Sequence, residues 1–155
     1  MRLAVISDSH GNRDAIRRAF VQMGAVQAVV HLGDGCEDWE YLAVPPGVAT
    51  YHVRGNNDYG VNAPWQLLRT LGGWPVFMTH GHRQNVKFGL QTLVYTAQEQ
   101  GARLCCFGHT HAALLDESGP VILLNPGALG DYRAPSFALV DLDDRGIRAQ
   151  IVPLV

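Results

Sequence analysis

Five short polar segments of this sequence carry side chains that can bind divalent metal ions. Each segment follows a short apolar stretch and sets aspartate, asparagine or histidine beside glycine, serine or threonine. Carboxylate, amide and imidazole groups are ligands that divalent metals take from proteins. The candidate ligands are Asp8, His10, Asp34, Asn56, His80, His109 and His111.

The number of candidate ligands indicates two metal ions rather than one. A single ion does not use seven side chains, whereas two ions that share a bridging carboxylate do. In open α/β sheets the ligand crevice lies beyond the carboxyl ends of the strands, so these side chains are expected to converge. The Asp8-Ser9-His10 and His109-Thr110-His111 segments are interpreted as extended, because an extended chain places alternate side chains on one side.

Apolar runs and turn residues predict the elements that position these ligands. Continuous apolar runs that end in polar residues are typical of buried strands. Such strands are expected at residues 3–6, 28–32, 49–53, 65–71, 74–79 and 103–107, with a two-glycine turn between the fourth and fifth. Helical spacing and end residues predict helices between Asn12 and Gly24, over 37–42 and over 86–100.

The C-terminal part of the sequence has a different pattern. Short strands at 112–115, 121–124, 137–142 and 147–151 are separated by turn residues, which favours an antiparallel meander. There is no linker, low-complexity segment or sequence repeat. Residues 1–155 are therefore predicted to form a single domain of layered α/β architecture.

Charge balance and cysteine content exclude several classes of protein. Twelve Lys and Arg against 14 Asp and Glu give a formal net charge of -2, so nucleic acid is not an expected partner. No apolar run has the length of a membrane helix and no signal peptide is recognised, which predicts a cytoplasmic protein without membrane contact. Three cysteines without a Cys-x-x-Cys pair indicate neither a disulfide framework nor a thiolate zinc site.

Taken in order, the polar segments resemble the motifs of a known family. They are Asp8-Ser9-His10, Gly33-Asp34, Gly55-Asn56-Asn57-Asp58, His80-Gly81-His82 and Gly108-His109-Thr110-His111. Together they resemble the calcineurin-like metallophosphoesterase superfamily, from residue 1 to at least Gly127. The small size is similar to that of its compact phosphodiesterase branch, which a retromer scaffold subunit also resembles in fold.

The resemblance implies a fold, a ligand arrangement and a reaction. The fold would be an αββα sandwich of two mixed sheets flanked by helices, with metals at the carboxyl ends of the strands. Asp34 would bridge two divalent ions, one also held by Asp8, His10 and His111, the other by Asn56, His80 and His109. Such a pair hydrolyses small phosphate esters through attack of a metal-bound hydroxide. Mixed imidazole and oxygen ligands favour manganese, and nickel, iron, cobalt and zinc also fit.

One catalytic position departs from the family pattern. The family often places a histidine after the ligand asparagine, where it protonates the leaving group, and here that position is Asn57. An amide does not act as a general acid, so His82 is the candidate for proton transfer. His82 and Arg83 are also candidates to bind the substrate phosphate, and the catalytic set is therefore Asp34, Asn57 and His82.

Several residues keep a structural interpretation, and two other functions stay open. His31 and His52 match no ligand position, and Asp58 is expected to bind loop amides. Substrate choice is expected to lie in loops 35–48, 59–66 and 129–135. The expected partner is a small phosphate ester, and homo-oligomers are compatible with the sequence. The alternatives are a non-catalytic protein-interaction scaffold of the same fold and a nuclease.

Overall fold

The computed structural model describes residues 1–40 and 44–155, which form two five-stranded sheets. The strands are β1 (Arg2–Ile6), β2 (Ala28–His31), β3 (Ala49–His52), β4 (Gln66–Leu71), β5 (Trp74–Thr79), β6 (Leu104–Cys106), β7 (Leu114–Asp116), β8 (Ile122–Asn125), β9 (Ser136–Asp143) and β10 (Gly146–Pro153). The α-helices are α1 (Arg13–Met23), α2 (Cys36–Glu40) and α3 (Gln91–Glu99). Short 3-10 helices span His82–Gln84 and Val86–Phe88.

Both sheets are mixed, and each has parallel strands at its centre. The first sheet has the order β10-β9-β1-β2-β3, in which β1, β2 and β3 run parallel and β9 pairs antiparallel with β1. The second has the order β4-β5-β6-β8-β7, in which β5, β6 and β8 run parallel. Parallel strands end at the same edge of a sheet, so the loops after β1, β2, β3, β5 and β6 share two adjoining edges.

The sheets pack face to face, with helices on the outer faces. Alternation along β1 shows why: Leu3 and Val5 face the second sheet, whereas Ala4 and Ile6 pack under α1. On the other side, Phe77 of β5 packs with residues of α3. All these side chains are buried, and the predicted αββα sandwich is confirmed.

The predicted C-terminal meander is wrong, because its strands belong to different sheets. β7 and β8 join the second sheet, where β8 pairs in parallel with β6, and β9 and β10 complete the first sheet. The cause is visible in the burial of the apolar runs. β8 lies inside the second sheet and is largely buried, as continuous apolar strands usually are, whereas β9 lies inside the first sheet and alternates buried and half-buried residues from Leu139 on.

The helix predicted over 86–100 is also wrong at its start. The segment Val86–Phe88 forms a 3-10 helix, and α3 begins only at Gln91. Gly89, with φ of 136°, interrupts the helical path, and Phe88 is 91 % exposed instead of facing the core. The helix predicted over 37–42 is α2 as far as Glu40, and its remaining positions lie outside the described residues.

Over the described residues, 1–40 and 44–155, the helices are too short and too polar for any of them to span a membrane.

Candidate metal centre

The predicted ligands converge where the carboxyl edges of the two sheets meet. Asp8 and His10 follow β1, Asp34 follows β2 and Asn56 follows β3 in the first sheet; His80 follows β5, and His109 and His111 follow β6 in the second. Backbone hydrogen bonds tie these loops together. The N–H of Asp8 donates to the Gly33 carbonyl at 2.9 Å, and the N–H of Gly108 donates to the His80 carbonyl at 3.0 Å.

One ligand group consists of Asp8, His10 and His111. The Nε2 atoms of the two histidines lie 3.1 Å apart, and both face the carboxylate of Asp8. Oδ1 of Asp8 lies 3.1 Å from Nε2 of His111 and 3.5 Å from Nε2 of His10. Asp8 is fully buried, whereas the two histidine side chains are 34 % and 44 % exposed.

The second group consists of Asp34, His80 and His109. Nε2 of His80 lies 3.4 Å from Oδ2 of Asp34 and 3.0 Å from Oδ1 of Asn56, which adds an amide oxygen to the group. Oδ2 of Asp34 also lies 3.9 Å from Nε2 of His10 in the first group. Asp34 thus lies between the groups, at the position predicted for a bridging carboxylate.

The donor atoms fit divalent cations. Oδ1 of Asp8 is buried and accepts no hydrogen bond from the part of the chain that the structure describes. A buried carboxylate oxygen without a partner costs free energy, and a cation would remove that cost. Imidazole nitrogens and carboxylate oxygens together suit transition metals better than calcium, which prefers oxygen alone.

The ligand loops have an unusual backbone. Asp8, His10, Asp34, His109 and His111 have φ values from 45° to 70°. The extended conformation predicted for the Asp8-Ser9-His10 and His109-Thr110-His111 segments is therefore wrong. Left-handed conformations are uncommon for residues other than glycine, although Asp and His adopt them more often than most, and they cluster at functional sites that the surrounding structure holds in place. The tight turns bring both ligands of each segment to one side.

Hydrogen bonds fix the orientation of the buried ligands. Nδ1 of His80 donates to the Leu32 carbonyl at 2.7 Å, which leaves Nε2 facing Asp34 and Asn56. Oδ2 of Asp8 accepts from the hydroxyl of Ser7 and from the N–H of His109, so its free oxygen is Oδ1. Ser7 and Leu32 were not found by sequence reasoning, and a backbone carbonyl leaves no signal in a sequence.

Charge interactions keep the carboxylates ionised. Burial acts to raise the pKa of Asp8, but His10 and His111 lower it more, and the net pKa lies well below its ordinary value. Burial likewise acts against ionisation of Asp34, but the opposing effects of His80 and Asn57 bring its pKa to about 2. Burial lowers the pKa of His109 to about 4, with a further contribution from His80, which favours a neutral imidazole with a free lone pair.

Comparison with known proteins identifies the family of the chain that carries these two ligand groups. The model of the calcineurin-like phosphoesterase superfamily domain matches residues 1–145. The chain belongs to this superfamily. Metal dependence is a property of the family, and the two ligand groups of this phosphoesterase agree with it.

Individual relatives of this phosphoesterase carry related descriptions. It is 31 % identical over 148 residues to the probable metallophosphoesterase YsnB of Bacillus subtilis, covering 93 % of this chain and 86 % of the relative. It is 29 % identical to the phosphodiesterase YfcE of Escherichia coli K12, covering 97 % of each. A Vps29 mutant from Entamoeba histolytica has a similar fold, with a TM-score of 0.77 at 21 % identity over the whole of both chains.

In this phosphoesterase, Asn57 holds the carboxylate between the two groups. Its backbone N–H donates to Oδ1 of Asp34, and its side-chain Nδ2 donates to Oδ2, both at 2.8 Å. The backbone N–H and the side-chain amide of Asn57 each bind one carboxylate oxygen, and together they fix the rotation of the Asp34 carboxylate. The residue at the position of the family's histidine is therefore placed to orient Asp34.

Asp58 organises the turn that carries Asp34. Its two carboxylate oxygens accept from the backbone N–H groups of Asp34, Gly35, Cys36 and Gly55, at 2.7 to 3.1 Å. Burial acts to raise the pKa of Asp58, but these amides lower it to below its ordinary value. The prediction that Asp58 binds loop amides is confirmed.

His82 and Arg83 lie outside both ligand groups. The His82 ring is 5.4 Å from the His80 ring and 6.1 Å from the His109 ring, measured between centroids. Its Nδ1 is buried without a hydrogen-bond partner among the described residues. Burial, together with the charge of His80, lowers the pKa of His82. Arg83 is exposed and stacks on Trp65.

Two clefts flank the ligands and border the loops expected to choose the substrate. One, of about 360 Å³, lies between His10, Asp34 and Asn57 and reaches Glu37 and Tyr59. The other, of about 500 Å³, is lined by His10, His111 and the segment 130–133. His10 lines both clefts, so a phosphate ester bound beside it would have room on both sides.

Proposed function

We propose that this chain is a phosphodiesterase or phosphatase that hydrolyses small phosphate esters with two divalent metal ions. The observation that carries the proposal is the pair of ligand groups with Asp34 between them. The YsnB and YfcE relatives support the same reaction class. The common core between the two sheets supports a single catalytic domain over residues 1–155.

The side chains of the two ligand groups determine where the charges of the two metal ions would lie. When bound, two divalent ions would supply the positive charge that lowers the pKa of a water and offsets charge on the phosphate oxygens. Asp34 would bind both ions, with Asp8, His10 and His111 completing the first group and Asn56, His80 and His109 the second. Manganese is the favoured metal, and nickel, iron, cobalt and zinc fit the same donors.

Two neighbours of the ligands complete the proposed mechanism. Asn57 orients the shared carboxylate through its two hydrogen bonds. His82 is assigned to proton transfer and phosphate binding, since its ring lies 5.4 Å and 6.1 Å from the rings of the ligand histidines His80 and His109. Arg83 is assigned to substrate binding from its position beside His82.

The test compares a diester with a monoester. Bis-p-nitrophenyl phosphate and p-nitrophenyl phosphate would be assayed after metal removal with EDTA and after reloading with manganese. We expect metal-restored turnover that falls at least about 100-fold in Asp34→Asn and His109→Ala. Asp141→Asn is the control, because Asp141 pairs with Arg2 at the exposed surface.

The same assay decides the alternative. The Vps29 likeness and the histidine missing at Asn57 are the observations in favour of a protein-interaction scaffold. If manganese binds and both esters are hydrolysed no faster than by Asp34→Asn, the scaffold replaces the hydrolase. The complete ligand set favours the hydrolase.

A further inference from the structure

Two arginines and a tryptophan form a cationic cluster beside the second ligand group. The arginine cluster consists of Arg54 and Trp65, from the segment between β3 and β4, and Arg83, from the 3-10 helix after β5. The guanidinium carbons of Arg54 and Arg83 lie over the Trp65 ring, at 4.6 and 5.4 Å from its centroid. None of the three belongs to the two ligand groups.

His82 connects the arginine cluster to the metal ligands. Its ring is 5.4 Å from the Trp65 ring on one side and 5.4 Å from the His80 ring on the other, between centroids. One imidazole therefore separates the cluster from the second ligand group. A substrate phosphate at the metals would have the cluster within reach of its neighbouring groups.

In the described part of the chain, the two arginines of the cluster are not paired with carboxylates. Over residues 1–39 and 44–155, no carboxylate lies within ion-pair distance of Arg54 or Arg83. Arg54 donates from Nε to the Asp58 carbonyl at 3.1 Å, and its terminal nitrogens have no acceptor among these residues. Two guanidinium groups with free donors in a chain of net charge -2 point to an anionic ligand.

The packing of the indole argues against a nucleobase as that ligand. Two guanidinium groups and the His82 ring already pack against Trp65. Tryptophan holds the arginines in place, and stacking of a base would require their displacement. The donors that remain free are those of the guanidinium groups, which match phosphate oxygens.

We propose that the arginine cluster is an anion subsite that holds a second phosphate of the substrate. The inference deepens the proposed function and rests on it: the preferred substrates carry one phosphate at the metal centre and another a short spacer away. A phosphate suits the subsite better than a carboxylate, because it has more acceptor oxygens and a higher charge for two guanidinium groups.

The kinetic test uses two esters that differ only in the second phosphate. These are thymidine 5′-(p-nitrophenyl phosphate) with and without a 3′-phosphate, assayed with the manganese-loaded protein at constant ionic strength. We expect the 3′-phosphate to raise kcat/KM about tenfold, mainly through KM. Equal kcat/KM values for the two esters would overturn the proposal.

Two variants test whether the increase in kcat/KM with the 3′-phosphate comes from the arginine cluster. Arg83→Gln removes an exposed guanidinium, and Arg54→Gln removes the other at the cost of its bond to Asp58. Each is expected to abolish most of the tenfold ratio. The matched control is Arg103→Gln, which removes an arginine stacked on Trp74 at 5.7 Å and is expected to keep the ratio. A ratio that survives in both cluster variants contradicts the subsite.

A binding test separates this inference from the proposed function. Metal-free protein would be titrated with inorganic phosphate while tryptophan emission is recorded, with Trp65→Phe as the background. We expect a saturable change that needs about tenfold more phosphate in Arg83→Gln, while acetate acts only at higher concentration. If neither ester is hydrolysed but this titration succeeds, the catalytic proposal fails and the subsite stands. No response of Trp65 to phosphate refutes the subsite.

Discussion

At the scale of single residues, the candidate metal centre depends on which oxygen of each carboxylate is left free. Ser7 and the His109 amide occupy one oxygen of Asp8, so the other faces the histidines. Asp34 is held at both oxygens by Asn57. Fixing a ligand before the metal arrives reduces the entropy lost on binding. Neighbours that never touch the metal therefore influence its affinity.

Replacing Asn57 tests this positioning role. Asn57→Ala removes the side-chain bond to Oδ2 of Asp34 and keeps the backbone bond to Oδ1. We expect manganese affinity and kcat/KM to fall about 10- to 100-fold, the usual effect of losing a partner of a metal ligand. Isothermal titration of the metal-free variant would measure the affinity. A drop in activity with unchanged metal affinity would contradict the role and indicate direct chemistry by Asn57.

At the scale of secondary-structure elements, the site depends on close approaches between loops. A Cβ on Gly108 would meet the Ser7 hydroxyl and lie 2.6 Å from Oδ2 of Asp8, and one on Gly33 would lie 2.9 Å from Nδ1 of His80. The loops of both sheets can touch because these positions lack side chains. These glycines of the motifs therefore allow the loops of the two sheets to pack closely together.

Gly108→Ala is expected to displace the Asp8 carboxylate. We expect a loss of about 1 to 3 kcal/mol in the free energy of unfolding of the metal-free protein, as in other overpacked sites, with weaker metal binding. Denaturant unfolding would measure it. Gly119→Ala is the control, because its Cβ would have only the Val121 carbonyl near it, at 3.9 Å. Equal stability of the two variants would contradict the close packing.

The buried histidine of β2 gives a prediction of pH dependence. Nδ1 of His31 accepts from the Gly33 N–H at 3.0 Å, Nε2 lies 3.1 Å from the Ser9 hydroxyl, and burial lowers the pKa of His31 to about 4. Between about pH 6.5 and 4, the histidine is protonated in the unfolded chain, where its pKa is about 6.5, but stays neutral in the folded chain. Titration of His31 therefore leaves the free energy of unfolding unchanged above about pH 6.5. It lowers the free energy of unfolding by up to about 3 kcal/mol as the pH falls from about 6.5 to 4.

The His31→Asn variant isolates this contribution, since an asparagine oxygen can accept from Gly33 and does not titrate. Urea unfolding of both metal-free proteins at several pH values would give the difference. We expect the stability of the wild type to fall more steeply below pH 6.5 than that of the variant. Parallel curves would show that His31 is not the group that titrates.

The sequence predicted the elements better than their arrangement. Runs such as 3–6 and 74–79 predict strands because an apolar strand buried on both faces has few alternatives. The same runs carry no information on strand order, so the predicted meander joins β8 and β9, which belong to different sheets. The ligands were predictable from residue type and motif. Their left-handed φ values were not, because only tertiary contacts hold Asp8 or His111 in that region.

At the scale of the whole molecule, metal binding would join the two sheets. The first ligand group takes Asp8 and His10 from the first sheet and His111 from the second, and the other group takes Asp34 from the first and His80 and His109 from the second. An ion in either group would be held from both halves of the sandwich. Its binding free energy would then contribute to global stability.

Thermal unfolding with and without metal checks this coupling. At a manganese concentration of about 100 times Kd, each site would add about 2.7 kcal/mol, so Tm should rise by several degrees over the EDTA-treated protein. His109→Ala should keep only part of the rise, because the first group remains. A wild-type Tm that is insensitive to manganese would contradict a centre shared between the sheets.

The unequal exposure of the histidine ligands has a kinetic consequence. His10 and His111 are 34 % and 44 % exposed at their side chains, whereas His80 is fully buried and His109 half-buried. Ligand exchange requires solvent to replace protein donors, so an ion in the first group would leave sooner than one in the second. Chelation or a change of available metal would then pass through a singly loaded protein. A purified sample would then hold a different metal in each group if the available metal changed: the slower group would keep the metal it bound first, and the faster group would take up the metal present later.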